Sequence, residues 1–441
     1  MTPRRWITVL ALAVVAVVLA ASQRRGPVLA DGTMIDETSW QLAEGLLPDE
    51  ILAHYRKGEY RNRILDIDRP GLQSILPPPD FREAAAANRG RYRVDASGTV
   101  VDVSTGKRPT YVVGFPFPDV DPAAPTAGSE VVWNFFYATW YRGNSHFLNE
   151  LVMLGRGGVE RRIGTQVKML FYDGAPELLG RPNPRDLQQQ MLAKVVSPAD
   201  LAGTVSLTWR YRDERPDALW TYVPGLRRAR SISPLNRSDG FLGSDITLDD
   251  GPFFDGKPES FTFRLLGREE QLVLMDPFGI RGETELVPVP GGGWRVVWKD
   301  VPRMGADDPS WDGLPWAPVS SVLVRRPVWV VEARPKDPNY LYGRIVLRFD
   351  AETFRGTWAS KYDRADVLVG SYQVSSGAYS HAPDGSWIAG GGTTVQTAEN
   401  YLYDRATVVV FPARSPENPA DFRVELDPGG FDADVLVRMG R

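Results

Sequence analysis

A strict two-residue rhythm in the stretch TVSLTWRYR most limits what this 441-residue chain can fold into. Val205, Leu207, Trp209 and Tyr211 fall on one side of an extended backbone, and Ser206, Thr208, Arg210 and Arg212 fall on the other. Strand side chains alternate between faces, so the stretch predicts a strand with one dry and one wet side. The same reading applies to residues 130–142, 161–172, 218–223, 261–266, 294–299, 328–333, 341–350, 357–362, 367–374, 393–397 and 407–411, with Gly, Pro and Asp clusters between them. One helical insert is predicted at 183–194. About a dozen strands in sequence predict a large antiparallel sheet, because parallel pairing needs a crossover after nearly every strand. No internal repeat of fixed period is present, which disfavours a propeller.

Composition agrees. The chain carries 13 Trp, 16 Tyr and 18 Phe with 42 Gly and 36 Pro, which favours turn-rich β-structure over a helical bundle. It has no cysteine, which excludes a thiol nucleophile, a disulfide framework, thiolate metal sites and an N-terminal lipidated Cys. Fifty-one basic against 55 acidic residues leave a net charge of −4. That balance gives no reason to expect a nucleic acid partner.

Arg4 and Arg5 precede an uncharged, mostly apolar run at 6–21, and Val28-Leu29-Ala30 offers a cleavage site. This is the order of a secretory signal. As a helix the run rises about 24 Å, short of the ~30 Å hydrocarbon core of a bilayer. A cleaved signal at 1–30 and a mature protein in the periplasm are therefore expected, with an uncleaved anchor as the alternative. Residues 31–128 read as an irregular extension that packs on a main body at 129–441. Within it, DEILAHYRKG predicts a short helix closed by Gly58, and Asp80 is placed to cap FREAAAANRG.

Catalytic signatures fail where they can be tested. Gly251 to Lys257 has the spacing of a phosphate loop, yet Pro258 stands where Ser or Thr must meet magnesium. Gly155-Arg156-Gly157-Gly158 reads as a hairpin turn. There is no nucleophile elbow and no His-Glu-x-x-His pair. Asp245, Asp249 and Asp250 lack the ligand spacing of a calcium loop and read as turn caps. His146 and His381 sit in turn-like surroundings and are given polar surface roles. No enzyme, metal or cofactor is expected.

The segments Asp217–Ile232, with Trp220, Tyr222, Pro224 and Arg227-Arg228-x-Arg230, and Ser238–Asp250 are distinctive together. So are Val328–Ala333 leading to Tyr342-x-Arg344, and Phe349-Asp350-x-x-Thr353 through Tyr362-Asp363. This set resembles the DUF1329 family within the LolA/LolB-like superfamily of outer-membrane lipoprotein-sorting proteins. The resemblance implies a mainly β (α+β) protein: a large curved antiparallel sheet forming an unclosed half-barrel, helices over its mouth, and an apolar cavity between. Lacking cysteine, this chain departs from the lipid-anchored receptors and is expected to be freely periplasmic or held by protein contacts.

Such a fold predicts a carrier or chaperone for a lipid or other hydrophobic ligand. Exposing a sixteen-carbon chain to water costs on the order of 12 kcal/mol at about 0.8 kcal/mol per methylene, and an apolar cavity offsets that. Val205, Leu207, Trp209, Tyr211, Trp220 and Tyr222 are the expected cavity residues. Arg227, Arg228 and Arg230 are expected either to hold an anionic head or to latch a rim against Asp245, Asp249 or Asp250. The alternative function is a non-catalytic partner of an outer-membrane or RND-type export system.

Overall fold

A computed structural model describes residues 29–233, 237–298, 303–378, 380–382, 387–388, 393–411 and 420–440. The apolar run at 6–21, Val28 and the His381 side chain lie outside the described residues.

Among the described residues sixteen strands join in one sheet that does not close into a barrel. β1 (Ser145–Gly155), β2 (Gly158–Phe171), β3 (Leu187–Ser197), β4 (Val205–Tyr211), β5 (Ala218–Val223) and β6 (Arg228–Ile232) form an antiparallel meander. The chain then adds β7 (Phe261–Met275), β8 (Thr284–Pro288), β9 (Trp294–Trp298), β10 (Val322–Pro335), β11 (Arg344–Asp350), β12 (Gly356–Tyr362), β13 (Leu368–Ser376), β14 (Thr393–Asn400), β15 (Arg405–Val410) and β16 (Ala420–Phe422). Both β15 and β16 pair with β1, which joins the two halves. From there β14, β13, β12, β11, β10 and β7 follow in space, all antiparallel. Between these strands, among the described residues, one parallel pair, Met275 with Ser376, links β7 back to β13. The hairpin read at Gly155–Gly158 is present, and Gly158 takes φ 115°, a conformation that favours glycine.

Among the described residues the α-helices are α1 (Asp49–Arg56), α2 (Arg69–Ile75), α3 (Pro79–Ala87) and α4 (Ala127–Trp140), with short turns of helix at Pro277–Ile280 and Leu436–Met439. Three sequence readings need correction. Residues 130–142 are not a strand but most of α4, which is buried on nearly every side. Its apolar run, VVWNFFYATW, carries no amphipathic period, and a buried helix and a buried strand then look alike. The insert at 183–194 is not helical but largely β3. Its straight-chain residues favour a helix in isolation, and pairing on both sides with β2 and β4 overrides that preference. Asp80 does not cap α3, whose N-cap is Pro78; its carboxylate accepts a hydrogen bond from the Tyr141 hydroxyl.

α4 lies on the inner side of the sheet, where Val131, Phe135 and Phe136 pack with Trp329, Val331, Leu347 and Phe349. Gly128 permits this approach, because a Cβ there would stand 2.8 Å from the Leu265 backbone nitrogen. The outer side is covered twice. Ile35, Ile51, Tyr55 and Tyr60 pack against Val152, Leu272, Trp358 and Val395, while Phe431 and Leu436 cover Leu170, Leu192, Leu207 and Tyr222.

Candidate ligand cavity

α4 fills only part of the trough. Over β1–β4 the inner face stays vacant, and a cavity opens between it, α4 and the 241–255 loop, where Phe241, Ile246 and Leu248 form a roof. Its volume is about 190 Å³. The floor follows from register. Phe147, Val167, Ala193 and Ser206 are successive cross-strand neighbours from β1 to β4, and all four line the cavity. Met169 opposite Met191, and Phe171 opposite Gln189, make the next rows. Directly paired residues share a face, so one inner surface runs across all four strands.

None of the six expected cavity residues lines this space. Ser206 faces the cavity, so Val205, Leu207, Trp209 and Tyr211 point the opposite way. The C-terminal segment packs over them, leaving Val205 and Leu207 buried and Trp209 and Tyr211 half-buried. Trp209 donates its ring N–H to the Phe431 carbonyl at 2.7 Å, Trp220 stands edge-on to it at 4.9 Å, and Tyr222 is buried in the same cluster. Alternation separated the two faces correctly, and the polar one is the inner one.

The latch expected between Arg227, Arg228 or Arg230 and the three aspartates is not formed. Asp245 accepts from Asn400 and from Arg405, each at 3.0 Å. Asp249 pairs with Arg237 at 2.5 Å and accepts from the Tyr340 hydroxyl at 3.0 Å. Asp250 pairs with Lys361 at 2.5 Å. The three arginines are exposed at and after the β5–β6 turn, where Arg227 takes φ 51°. Among the described residues their side chains make no ion pair.

Behind the cavity stands a buried charge network that the alternation concealed. Arg210, on the supposedly wet face, is 2% exposed and pairs with Asp217 at 3.0 Å and Asp255 at 2.9 Å. Arg237 reaches Asp217 at 3.3 Å, Asp255 at 2.9 Å and Asp249. Burial opposes ionisation of Asp217, but Arg210 and Arg237 outweigh it and hold its pKa below the usual range. Lys257, the lysine of the phosphate-loop spacing, donates instead to the carbonyls of Tyr211, Asp213 and Arg215. Opposite charges taken from several loops pair only in the folded chain, so no local spacing announces the network. His146 is half-buried in β1, and burial lowers its pKa.

The arrangement defines a class: an open antiparallel sheet wrapped around one buried helix, with an apolar cavity where the helix leaves the trough vacant. The chain belongs to the DUF1329 family, whose model, described as a protein of unknown function, matches residues 35–425. No curated protein matches it. It is similar to a solved domain from Vibrio parahaemolyticus described as outer membrane lipoprotein-sorting, with 19% identity and TM-score 0.46, covering 71% of this chain and 100% of that one. A DUF1329 family protein from Desulfovibrio piger matches at 18% identity and TM-score 0.45, covering 72% and 99%. A LolA superfamily protein from Nitrosomonas europaea matches at 12% and 0.40, covering 70% and 98%. Among the described residues no helix is long and apolar enough to cross a membrane.

Proposed function

We propose that this chain is a non-catalytic periplasmic carrier that takes the apolar part of a hydrophobic ligand into the cavity between α4 and β1–β4. The observation that carries the reading is a mainly apolar void of about 190 Å³ beside a core that is otherwise closely filled. Interiors rarely leave such space, since each lost contact forfeits dispersion and transfer energy. Size limits the guest. A dry cavity of about 150 Å³ holds a benzene-sized molecule, whereas drug-sized sites run from about 300 to 1,000 Å³. The guest is therefore a single apolar chain of medium length, with its polar end at the mouth, and not a fully swallowed sixteen-carbon chain. Met169 and Met191 in the floor suit an adaptable apolar contact, because an unbranched thioether repacks easily.

The experiment is organic extraction of gently purified protein followed by mass spectrometry, paired with dodecanol binding by displacement of an environment-sensitive fluorophore. A recovered amphiphile, or saturable dodecanol binding abolished by Ala193→Trp, supports the reading. An empty extract together with no dodecanol uptake removes it.

A further inference from the structure

The floor of the cavity does not stop at Ser206. Its Cα partner on the next strand is Thr221, and the two hydroxyl oxygens lie 3.2 Å apart, so both point to the inner side. Thr221 is in turn the Cα partner of Arg230 on β6, and Val223 is the partner of Arg228. Cross-strand partners share a face, which puts Arg228 and Arg230 on the inner side as well. One continuous row thus reads Phe147, Val167, Ala193, Ser206, Thr221, Arg230: apolar in the cavity, hydroxyl at its margin, cationic at the open edge of the sheet. With strands about 4.8 Å apart, Arg230 follows Ser206 by about 10 Å. Among the described residues β6 is the last strand on that side, and Phe241, Ile246 and Leu248 supply the roof. Arg228 and Arg230 are exposed and make no ion pair among the described residues, whereas Asp245, Asp249 and Asp250 are already held by Arg405, Arg237 and Lys361.

We propose that Arg228 and Arg230 bind the anionic head, phosphate or carboxylate, of a single-chain amphiphile whose tail enters the cavity, with Ser206 and Thr221 between. This rests on the carrier reading and adds the ligand's charge and orientation. Guanidinium groups meet phosphate and carboxylate oxygens in a fork of charge-assisted hydrogen bonds, which a neutral head cannot offer.

The test compares dodecyl phosphate with dodecanol on the full chain, on an Arg228→Gln/Arg230→Gln double variant, and on Arg93→Gln, which removes one positive charge at an exposed site elsewhere. The unaltered chain is expected to bind dodecyl phosphate about tenfold more tightly than dodecanol. The double variant is expected to lose that preference with dodecanol affinity unchanged, and Arg93→Gln to keep it. A preference that survives in the double variant overturns the assignment while leaving the carrier reading intact. Displacement of dodecyl phosphate by an equal concentration of inorganic phosphate also overturns it, since the anion alone would then suffice. Failure of both amphiphiles to bind the unaltered chain instead removes the carrier reading on which it stands.

Discussion

His54 and Glu399, 345 positions apart in the chain, meet at 3.1 Å between imidazole Nε2 and carboxylate Oε2. On the other side of the ring, Nδ1 lies 2.8 Å from Glu59, and Tyr60 stacks over the imidazole at 4.6 Å. A ring flanked by two carboxylates donates from both nitrogens and so carries a positive charge. Burial alone would lower the His54 pKa, but the hydrogen bonds to Glu399 and Glu59 outweigh it and raise the value from 6.5 to about 9. α1 is thereby tied to β14 by a buried ion triad.

The sign of its pH dependence follows. Between about pH 6.5 and 9 the folded chain keeps a proton that the unfolded chain has released, so stability falls as pH rises through that window. The expected loss is on the order of 3 kcal/mol, fully absent below pH 6.5. Urea midpoints measured across the window should decline for the native chain and lack that step for His54→Gln. An identical decline in the variant would place its origin elsewhere.

Trp209 distinguishes the two faces of β4. Its ring is covered by the C-terminal segment and by the Arg185 guanidinium, 4.5 Å above it. Trp209→Ala is expected to cost about 2–3 kcal/mol in chemical denaturation and to leave dodecanol uptake by the folded fraction unchanged. Reduced uptake at equal folding would restore Trp209 to the ligand site.

Ala193 sits in the cavity floor with vacant space before it. Ala193→Leu should fill part of that space, changing stability by no more than about 1 kcal/mol, while dodecanol affinity falls several-fold. Thermal melting and the displacement assay, run on the same preparation, check both halves. Undiminished affinity would mean that the tail lies elsewhere.

Arg237 supplies the central cation of the network that includes Asp217, Asp249 and Asp255. Arg237→Met leaves those buried carboxylates short of a partner and is expected to destabilise the fold by about 3–5 kcal/mol. A guanidinium chloride midpoint shift worth under about 1 kcal/mol would show that the network relaxes without it.

Strand positions were legible because alternation needs no partner to be seen: β2, β4, β5 and β12 lie within a few residues of their predicted spans. α4 was not legible, since a helix buried on nearly all sides has no polar face to give it a period. β3 was not legible either, because QQQMLAK favours a helix until β2 and β4 flank it. For the site, the alternation in β4 identified the two faces and not which one meets the void. That depends on Phe431 and Leu436, more than 200 positions onward, closing over Leu207 and Tyr222. Arg210 then sits inside because Asp217 and Asp255 meet it there.

The covering of the outer side by the first part of the chain has a temporal consequence. Ile51, Tyr55 and Tyr60 rest on Leu272, Trp358 and Val395, residues made long after them. At roughly 5–20 residues per second, a ribosome needs on the order of half a minute to reach Glu399 after His54 has emerged. Ile51, Tyr55 and Tyr60 are thus made early and seated late, and before β7, β12 and β14 exist they lack the partners that bury them in the folded chain.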